Sequence, residues 1–387
     1  MSDQPSLRAK ISMADDFLFG EVRADKKAPA PPPPLGPLAA FAGDWVGNGF
    51  NTIFRPDSSV SPTSATLPNP LPAGDNILEL NLTSESLSFS KSLGAVPNRG
   101  TTPQGDIFLN GVPYLQTVSD ITIHGEKTGI HVEPGIWIHV PSTNVPAEGE
   151  TVARMASIPH GTTIEAQGTF VTVAGPPIIN PVDITPFLTA NPATKIKFPS
   201  QTAADPKTPR IPQDLTSFIA AGTITQAILD NPNILLSNIA NKQKITNTIA
   251  IIISTAPTPP LFGGGVDNIA FLLGQAAATA PNAQTVQMTA IFWIETVEVD
   301  IEVGPLTVGQ QFAVKPAKVV PGQTVPTFAG IAPYDVDMPR KLTVTYTQIQ
   351  YTQLVLLNFN KLTWPHVSVN TLVPADDIAV PPSVWGK

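Results

Sequence analysis

The sequence of 387 residues contains no cysteine and few charged residues. Without cysteine, a disulfide, an iron–sulfur cluster, a thiolate metal site and cysteine catalysis are all excluded. Charged residues make up only 13% of the chain, and this scarcity disfavours coiled coils, long solvated helices and charged disordered tails. The formal net charge is −8, so the chain lacks the basic surface that non-specific nucleic-acid binding requires.

Neither a secretory signal nor a transmembrane segment can be recognised. The N-terminal residues contain no apolar core of signal-peptide length, and the most apolar run, residues 249–254, is far too short to span a bilayer. We therefore expect a cytoplasmic protein without a membrane span, a location that suits a chain without cysteine. A homodimer formed through an exposed strand or through the N-terminal segment is left open.

Proline, by contrast, is abundant. The chain has 43 prolines, roughly twice the usual proportion, and proline interrupts helices and central strands, so many loops and strand ends are expected. Residues 1–40 form a Pro-rich leader, in which the run 28–34 favours an extended conformation. A ligand for SH3-type domains is one interpretation of this run, but we favour a spacer that lies over the folded domain.

From residue 41 onward, short segments show the alternation that is typical of half-buried strands. Leu78, Leu80 and Leu82, for example, alternate with polar residues. Strands that follow one another with turns between them indicate an antiparallel barrel or sandwich. We predict an all-β fold with a closed antiparallel β-barrel, and strands at residues 76–90, 106–109, 114–123, 129–140, 151–158, 162–173, 286–303, 342–358 and 362–373.

The middle of the chain differs from both ends, because prolines are dense there and the alternation is lost. Two helices are predicted in this part, at residues 215–229 and 233–241, the first ended by Asn231-Pro232 and the second started by this proline. The predicted organisation is therefore a leader (1–40), the first part of the barrel (41–175), a Pro-rich, partly helical insertion (176–285), and the closing strands with the C-terminal tail (286–387).

The sequence offers few groups for catalysis or metal binding. Its five histidines do not show the spacing of a zinc site on a helix. His131 and Glu133 lie two residues apart and therefore on one face of a strand, and we interpret them as a buried hydrogen-bonded pair. The phosphate-binding loop and the Gly-x-Ser-x-Gly elbow are missing. Ligand binding inside a barrel is therefore favoured over catalysis by a recognisable motif.

Four segments resemble, in the same order, the strands of the nitrobindin-type haem proteins, a family of β-barrels related to lipocalins and fatty-acid-binding proteins. They are GDWVGNG at residues 43–49, HVEPGIW at 131–137, RMASIPHGTTIEA at 154–166 and WPHVSVNTL at 364–372. The resemblance covers about half of the chain, which is longer than the family barrel mainly because of the insertion.

This resemblance implies a haem-binding barrel in which His366 is the ligand of the iron of haem b. Trp45, His131 and Trp364 are the further candidates for contact with the cofactor, although packing in the core is the simpler role for both tryptophans. The implied function is the binding of small diatomic molecules such as nitric oxide, or action on reactive nitrogen or oxygen species. The alternatives are a metal-free carrier of a lipophilic molecule, an enzyme acting on such a molecule, and a structural protein with a filled barrel.

One feature of the last strand opposes the haem interpretation. His366, Ser368 and Asn370 share one face, whereas Val367 and Val369 lie on the other. Simple alternation would bury the valines and expose His366. Haem binding therefore requires that His366 faces a cavity and that the leader or the insertion covers the valines from outside.

Overall fold

The structure is a computed structural model. It describes residues 31–57, 67–69, 71, 74, 76–123, 125–159, 161–257, 263–268, 283–320 and 322–386. Most of the predicted leader, together with His124 and His160, lies outside the described residues.

In the described part of the chain, ten antiparallel strands form a closed barrel. Each strand pairs with the next along the chain, and the last pairs with the first. The prediction of an all-β fold with a closed antiparallel barrel is therefore confirmed. The strands are β1 (Gly43–Pro56), β2 (Asn76–Phe89), β3 (Ile107–Asp120), β4 (Thr128–Val140), β5 (Thr151–Ser157), β6 (Thr162–Ala174), β7 (Lys244–Ser254), β8 (Gln284–Val303), β9 (Arg340–Phe359) and β10 (Leu362–Pro374).

Aromatic side chains close one end of the barrel. A 3-10 helix, Gly36–Phe41, lies against this end, and Trp45 Nε1 donates to the carbonyl oxygen of Phe41 at 2.9 Å. The ring of Phe41 stacks on Phe89, with 4.8 Å between the centroids, and Trp137 meets Phe292 edge to face at 5.2 Å. Because these large side chains fill the interior at this end, the other half of the barrel is where a ligand is expected.

The described end of the leader is attached to the closed end of the barrel. Asn110 Nδ2 donates to the carbonyl oxygen of Pro33 at 2.7 Å, and His139 Nδ1 donates to that of Pro34 at 2.9 Å. For residues 31–34, these contacts favour the interpretation as a spacer that lies over the domain.

The insertion contains short elements and is interrupted by a barrel strand. The predicted helix 215–229 is two helices, because Gly222 adopts a left-handed conformation (φ 71°) and ends the first of them. Strand β7 lies within residues 176–285, so this boundary prediction needs correction. The elements are the strands Phe187–Leu188, Asn191–Lys195 and Arg210–Ile211, the 3-10 helix Pro199–Gln201, and the helices α1 (Thr216–Ala221), α2 (Gln226–Asp230) and α3 (Ile234–Ala240); Gly265–Asn268 adds a strand beside β6.

The insertion packs against the outer surface of β1, β2 and β10. Val367 and Val369, which point away from the lumen, are at most 1% exposed within an apolar cluster. The same cluster contains the outward residues of β1 and β2 and the apolar residues of the insertion: Phe50, Phe54, Leu78, Leu80, Leu215, Ile224, Ile228, Leu229 and Leu236. The insertion thus covers the valines, which is one of the two conditions that the haem interpretation sets.

A second cluster extends the barrel on the side of β8 and β9. The long ends of these strands pack against the segment that connects them and against the C-terminal residues. A small sheet of Gln311–Val314, Phe328–Ile331 and Ile378–Ala379 and the 3-10 helix Pro382–Trp385 lie here; Val96–Asn98 pairs with β3, and Thr143–Asn144 pairs with Ala147–Glu148. No helix in the part of the chain that the structure describes is long and apolar enough to cross a membrane.

Candidate functional site

The half of the barrel away from the aromatic closure contains a cavity of about 490 Å³. This volume lies within the range of about 300–1,000 Å³ that is usual for small-molecule sites. His131 on β4 and His366 on β10 both line the cavity. The closed barrel therefore has an interior that can hold a ligand, and two imidazoles face it.

The cavity wall is mixed, with several apolar residues near the open end beside polar ones such as Glu79 and Thr162, and with a largely polar depth. Five of the apolar lining residues lie at or beside strand ends: Ile53, Ile130, Ile158, Ala283 and Leu357. Further in, the wall consists largely of hydrogen-bonding side chains: Asn51, Asn81, Thr83, Gln116, Gln353, Ser368 and Asn370. Among the lining residues that the structure describes there is no lysine or arginine, so the interior does not favour a deeply placed anion.

A polar ladder across three strands orients the imidazole of His366. Asn51 on β1 pairs with Ser368 on β10 and with Asn81 on β2. Asn51 Nδ2 donates to His366 Nε2 at 2.7 Å and to Ser368 Oγ at 2.8 Å, while Asn81 Nδ2 donates to Asn51 Oδ1 at 3.3 Å. Because an amide nitrogen can only donate, Nε2 of His366 is an acceptor and carries a lone pair.

A fully buried ion pair supports the opposite wall. The Glu133 carboxylate is 0% exposed; it contacts the Arg154 guanidinium and accepts a hydrogen bond from Tyr114. His131 Nε2 lies 3.3 Å from Glu133 Oε2, which agrees with our interpretation of a hydrogen-bonded pair. Burial raises the pKa of Glu133, but Arg154 together with His131 and Tyr114 outweighs burial and lowers the pKa to about 2.

A second buried carboxyl group lies at the floor of the cavity. Glu85 accepts hydrogen bonds from Tyr351 Oη at 2.6 Å, Gln116 Nε2 at 2.8 Å and Asn370 Nδ2 at 2.6 Å. All three donors line the cavity. Burial raises the pKa of Glu85 to about 7, although these hydrogen bonds and the charge of His131 act in the opposite direction.

The structure brings two of the four predicted cofactor-binding residues together. His131 and His366 line the cavity, whereas Trp45 belongs to the aromatic closure at the other end. Trp364 lies outside the barrel, where its ring stacks on Phe359 at 4.5 Å and its Nε1 donates to the carbonyl oxygen of Phe359 at 2.9 Å. Neither tryptophan is placed to touch a ligand in the cavity. No cluster of three or more possible metal-ligating His, Cys, Asp or Glu side chains occurs among the described residues.

The site residues predicted from the sequence do not include Asn51, Glu85, Gln116 or Gln353. On β2, the leucines were recognised as the buried face, but the polar residues between them also turn out to be covered, because they point into the lumen. Both faces of β2 are covered. This could not be predicted from the strand's own sequence, because it depends on the insertion that packs on the outer face. The sequence contained one indication of such covering. On β10, the haem interpretation required His366 to face a cavity while the valines of the opposite face were also buried.

Comparison with known proteins gives no family assignment. No family model and no curated protein match the chain. The crystal structure of Rv2717c from M. tuberculosis aligns over 88% of this chain and 97% of that chain, with 10% sequence identity and a TM-score of 0.34. A similarity this distant carries no argument, so the assignment of the fold rests on the strand pairing.

Proposed function

We propose that the protein binds a small molecule inside the barrel, and that this molecule is haem b held through His366. The observation that supports the proposal is the orientation of this residue. Its imidazole faces a cavity of about 490 Å³ with Nε2 as an acceptor, and the valines beside it are buried under the insertion.

The residues present fit this ligand in three respects. Neutral imidazole is a common ligand of haem iron. His366 Nε2 is an acceptor at the cavity wall, and the amide of Asn51, which donates to it at 2.7 Å, must turn away for iron to bind there. The apolar open end of the cavity suits the macrocycle. Because the described lining has no lysine or arginine, the anionic propionates are expected to remain at the solvent side. Bound haem would supply a redox-active iron for small diatomic ligands or reactive nitrogen and oxygen species.

Replacement of His366 with alanine tests this proposal. We expect the wild-type protein, supplied with haem, to show a Soret band, and we expect His366→Ala to weaken haem binding by at least roughly tenfold, because the protein ligand of the iron is lost. Absorption titration measures both. His139→Ala is the matched control, since it removes an imidazole that lies at the closed end of the barrel and should keep the band. Haem uptake that is absent in the wild type, or unchanged in His366→Ala, refutes the proposal.

A metal-free ligand is the second candidate, and the polar depth of the cavity favours it. Our sequence-based alternative was a carrier of, or an enzyme acting on, a lipophilic molecule. The mixed lining is better suited to an amphiphilic molecule, with its apolar part at the open end and its polar part deep in the barrel. Native mass spectrometry of the purified protein tests this alternative, because a carrier is expected to retain such a molecule, whereas a haem protein is expected to retain haem.

A further inference from the structure

Two glutamines in the depth of the cavity are held in fixed and opposite orientations. Gln116 Nε2 donates to Glu85 Oε1 at 2.8 Å and to Tyr351 Oη at 3.1 Å. A primary amide has only two N–H groups, so both are used within the protein. Gln116 therefore offers a ligand its carbonyl oxygen, which is an acceptor.

Gln353 has the reverse arrangement. Its Oε1 accepts a hydrogen bond from Arg154 Nη1 at 2.8 Å, and Arg154 is itself fixed by Glu133. The carbonyl end of this amide thus points to the buried ion pair, and its NH₂ group is the end that remains for the cavity. Gln353 and Tyr351 are two residues apart on the same face of β9, and Tyr351 contacts Gln116, so the donor and the acceptor belong to one region of the wall.

From this pairing we infer that the deep half of the cavity binds a carboxamide-type group, which carries an acceptor next to a donor. The carbonyl oxygen of such a group accepts from Gln353, and its N–H donates to Gln116. Both protein amides are oriented from behind by the buried side chains of Glu85 and Arg154, so little orientational freedom is lost on binding.

The fixed amides of this region disfavour ionised groups of similar size. A ligand carboxylate has no N–H to offer Gln116, and it would lie close to the buried Glu85 without a lysine or arginine in the described lining. A ligand ammonium can donate to Gln116, but it cannot accept from Gln353. The neutral amide is the group that satisfies both side chains.

This inference rests on one part of the proposed function, namely that a small molecule enters the cavity, and it does not require haem. It applies equally to a carrier of an amphiphilic amide and to a haem protein with a polar pocket beyond the macrocycle. The test is therefore performed on the full chain, without haem and after haem has been supplied.

Benzamide, benzoate and benzylamine are suitable probes, because they share the ring and differ in the polar group. We expect titration calorimetry or ligand-observed NMR to give a dissociation constant for benzamide at least about tenfold lower than for the other two, since each of them loses one hydrogen bond or adds an unpaired charge. Gln353→Met keeps the size of the side chain and should remove most of this preference. Thr285→Val, at the open end of the same cavity, is the control and should retain it.

The outcomes separate this inference from the proposed function. Equal affinities for the three probes, or an unchanged preference in Gln353→Met, overturn the amide site. Haem uptake without any preference for benzamide overturns the amide site alone, and failure of both haem and all three probes to bind overturns both proposals. The comparison of probes in the wild type stands even if Gln353→Met fails to fold.

Discussion

Replacing Arg154 with methionine should lower the free energy of unfolding by about 3–5 kcal/mol, because it leaves the Glu133 carboxylate buried without its cation. Arg154 is 2% exposed and Glu133 is 0% exposed. The guanidinium also donates from Nε to Tyr114 Oη at 2.8 Å and lies 5.4–5.6 Å from the centres of three aromatic rings. Chemical denaturation at pH 7 measures the effect.

The double variant Arg154→Met with Glu133→Gln separates the loss of the ion pair from the loss of packing. Removing both charges avoids the uncompensated carboxylate, so the double variant should be clearly more stable than Arg154→Met alone. If the free energy of unfolding of Arg154→Met is within about 1 kcal/mol of the wild-type value, the pair behaves like an exposed ion pair. This result would show that the pair is accessible to water.

The second large effect is a loss of stability as the pH rises from about 5 to about 8. Burial raises the pKa of Glu295 from 4.5 to about 8, and the hydrogen bond from Gln348 Nε2 only partly opposes this. In the unfolded chain the group ionises near its ordinary value, whereas the folded protein keeps the proton. Unfolding therefore releases a proton in this range, and the free energy of unfolding falls by about 1.4 kcal/mol per pH unit for each such group.

Two other buried carboxyl groups complete the pH profile. Glu85, with its pKa raised to about 7, adds to the loss between about pH 5 and 7. Glu133, with its pKa lowered to about 2, has the opposite effect, because its contribution is present above its unfolded pKa and is lost as the pH falls towards 2. These groups together place the maximum of stability near pH 5, which is more acidic than is usual for proteins with ordinary carboxyl groups.

Glu295→Gln tests the assignment, because glutamine keeps the shape and the acceptor for Gln348 but cannot ionise. We expect the variant to match the wild type near pH 5 and to be more stable at pH 8.5, as measured by urea denaturation across the pH range. Glu298→Gln, three residues along the same strand and paired with Lys244 at the surface, is the control and should keep the wild-type slope. Parallel pH profiles for the wild type and Glu295→Gln would contradict the buried neutral acid.

The sequence predicted the strands well, because most of them carry a regular alternation. Strands predicted at 286–303, 342–358 and 362–373 are observed at Gln284–Val303, Arg340–Phe359 and Leu362–Pro374. The helix at 215–229 was predicted as continuous, since apolar spacing alone does not reveal that Gly222 ends a turn. Strand β7 was assigned to the insertion because its run of isoleucines has no polar alternation and prolines precede it.

The site was predictable only in part, since its contacts join residues that are distant in sequence. His366 and His131 could be selected by residue type and by family resemblance. Glu85 meets Tyr351, and Arg154 meets Gln353, only through the closure of the barrel. The insertion buries the outer face of β1, β2 and β10. The alternation of polar and apolar residues within one of these strands therefore does not show which face points into the lumen.

The insertion also gives the barrel two walls of unequal stiffness. Behind Asn51 and His366 lies a packed second layer, so any widening of the lumen on that side must separate the apolar cluster. Behind Gln116 and His131 no element of the described residues forms a second layer, and the outer side chains Leu115, Val132 and Met155 are 37–47% exposed. Elastic deformation of the cavity is therefore concentrated in β3, β4 and β5, while the imidazole of His366 is carried by the rigid side.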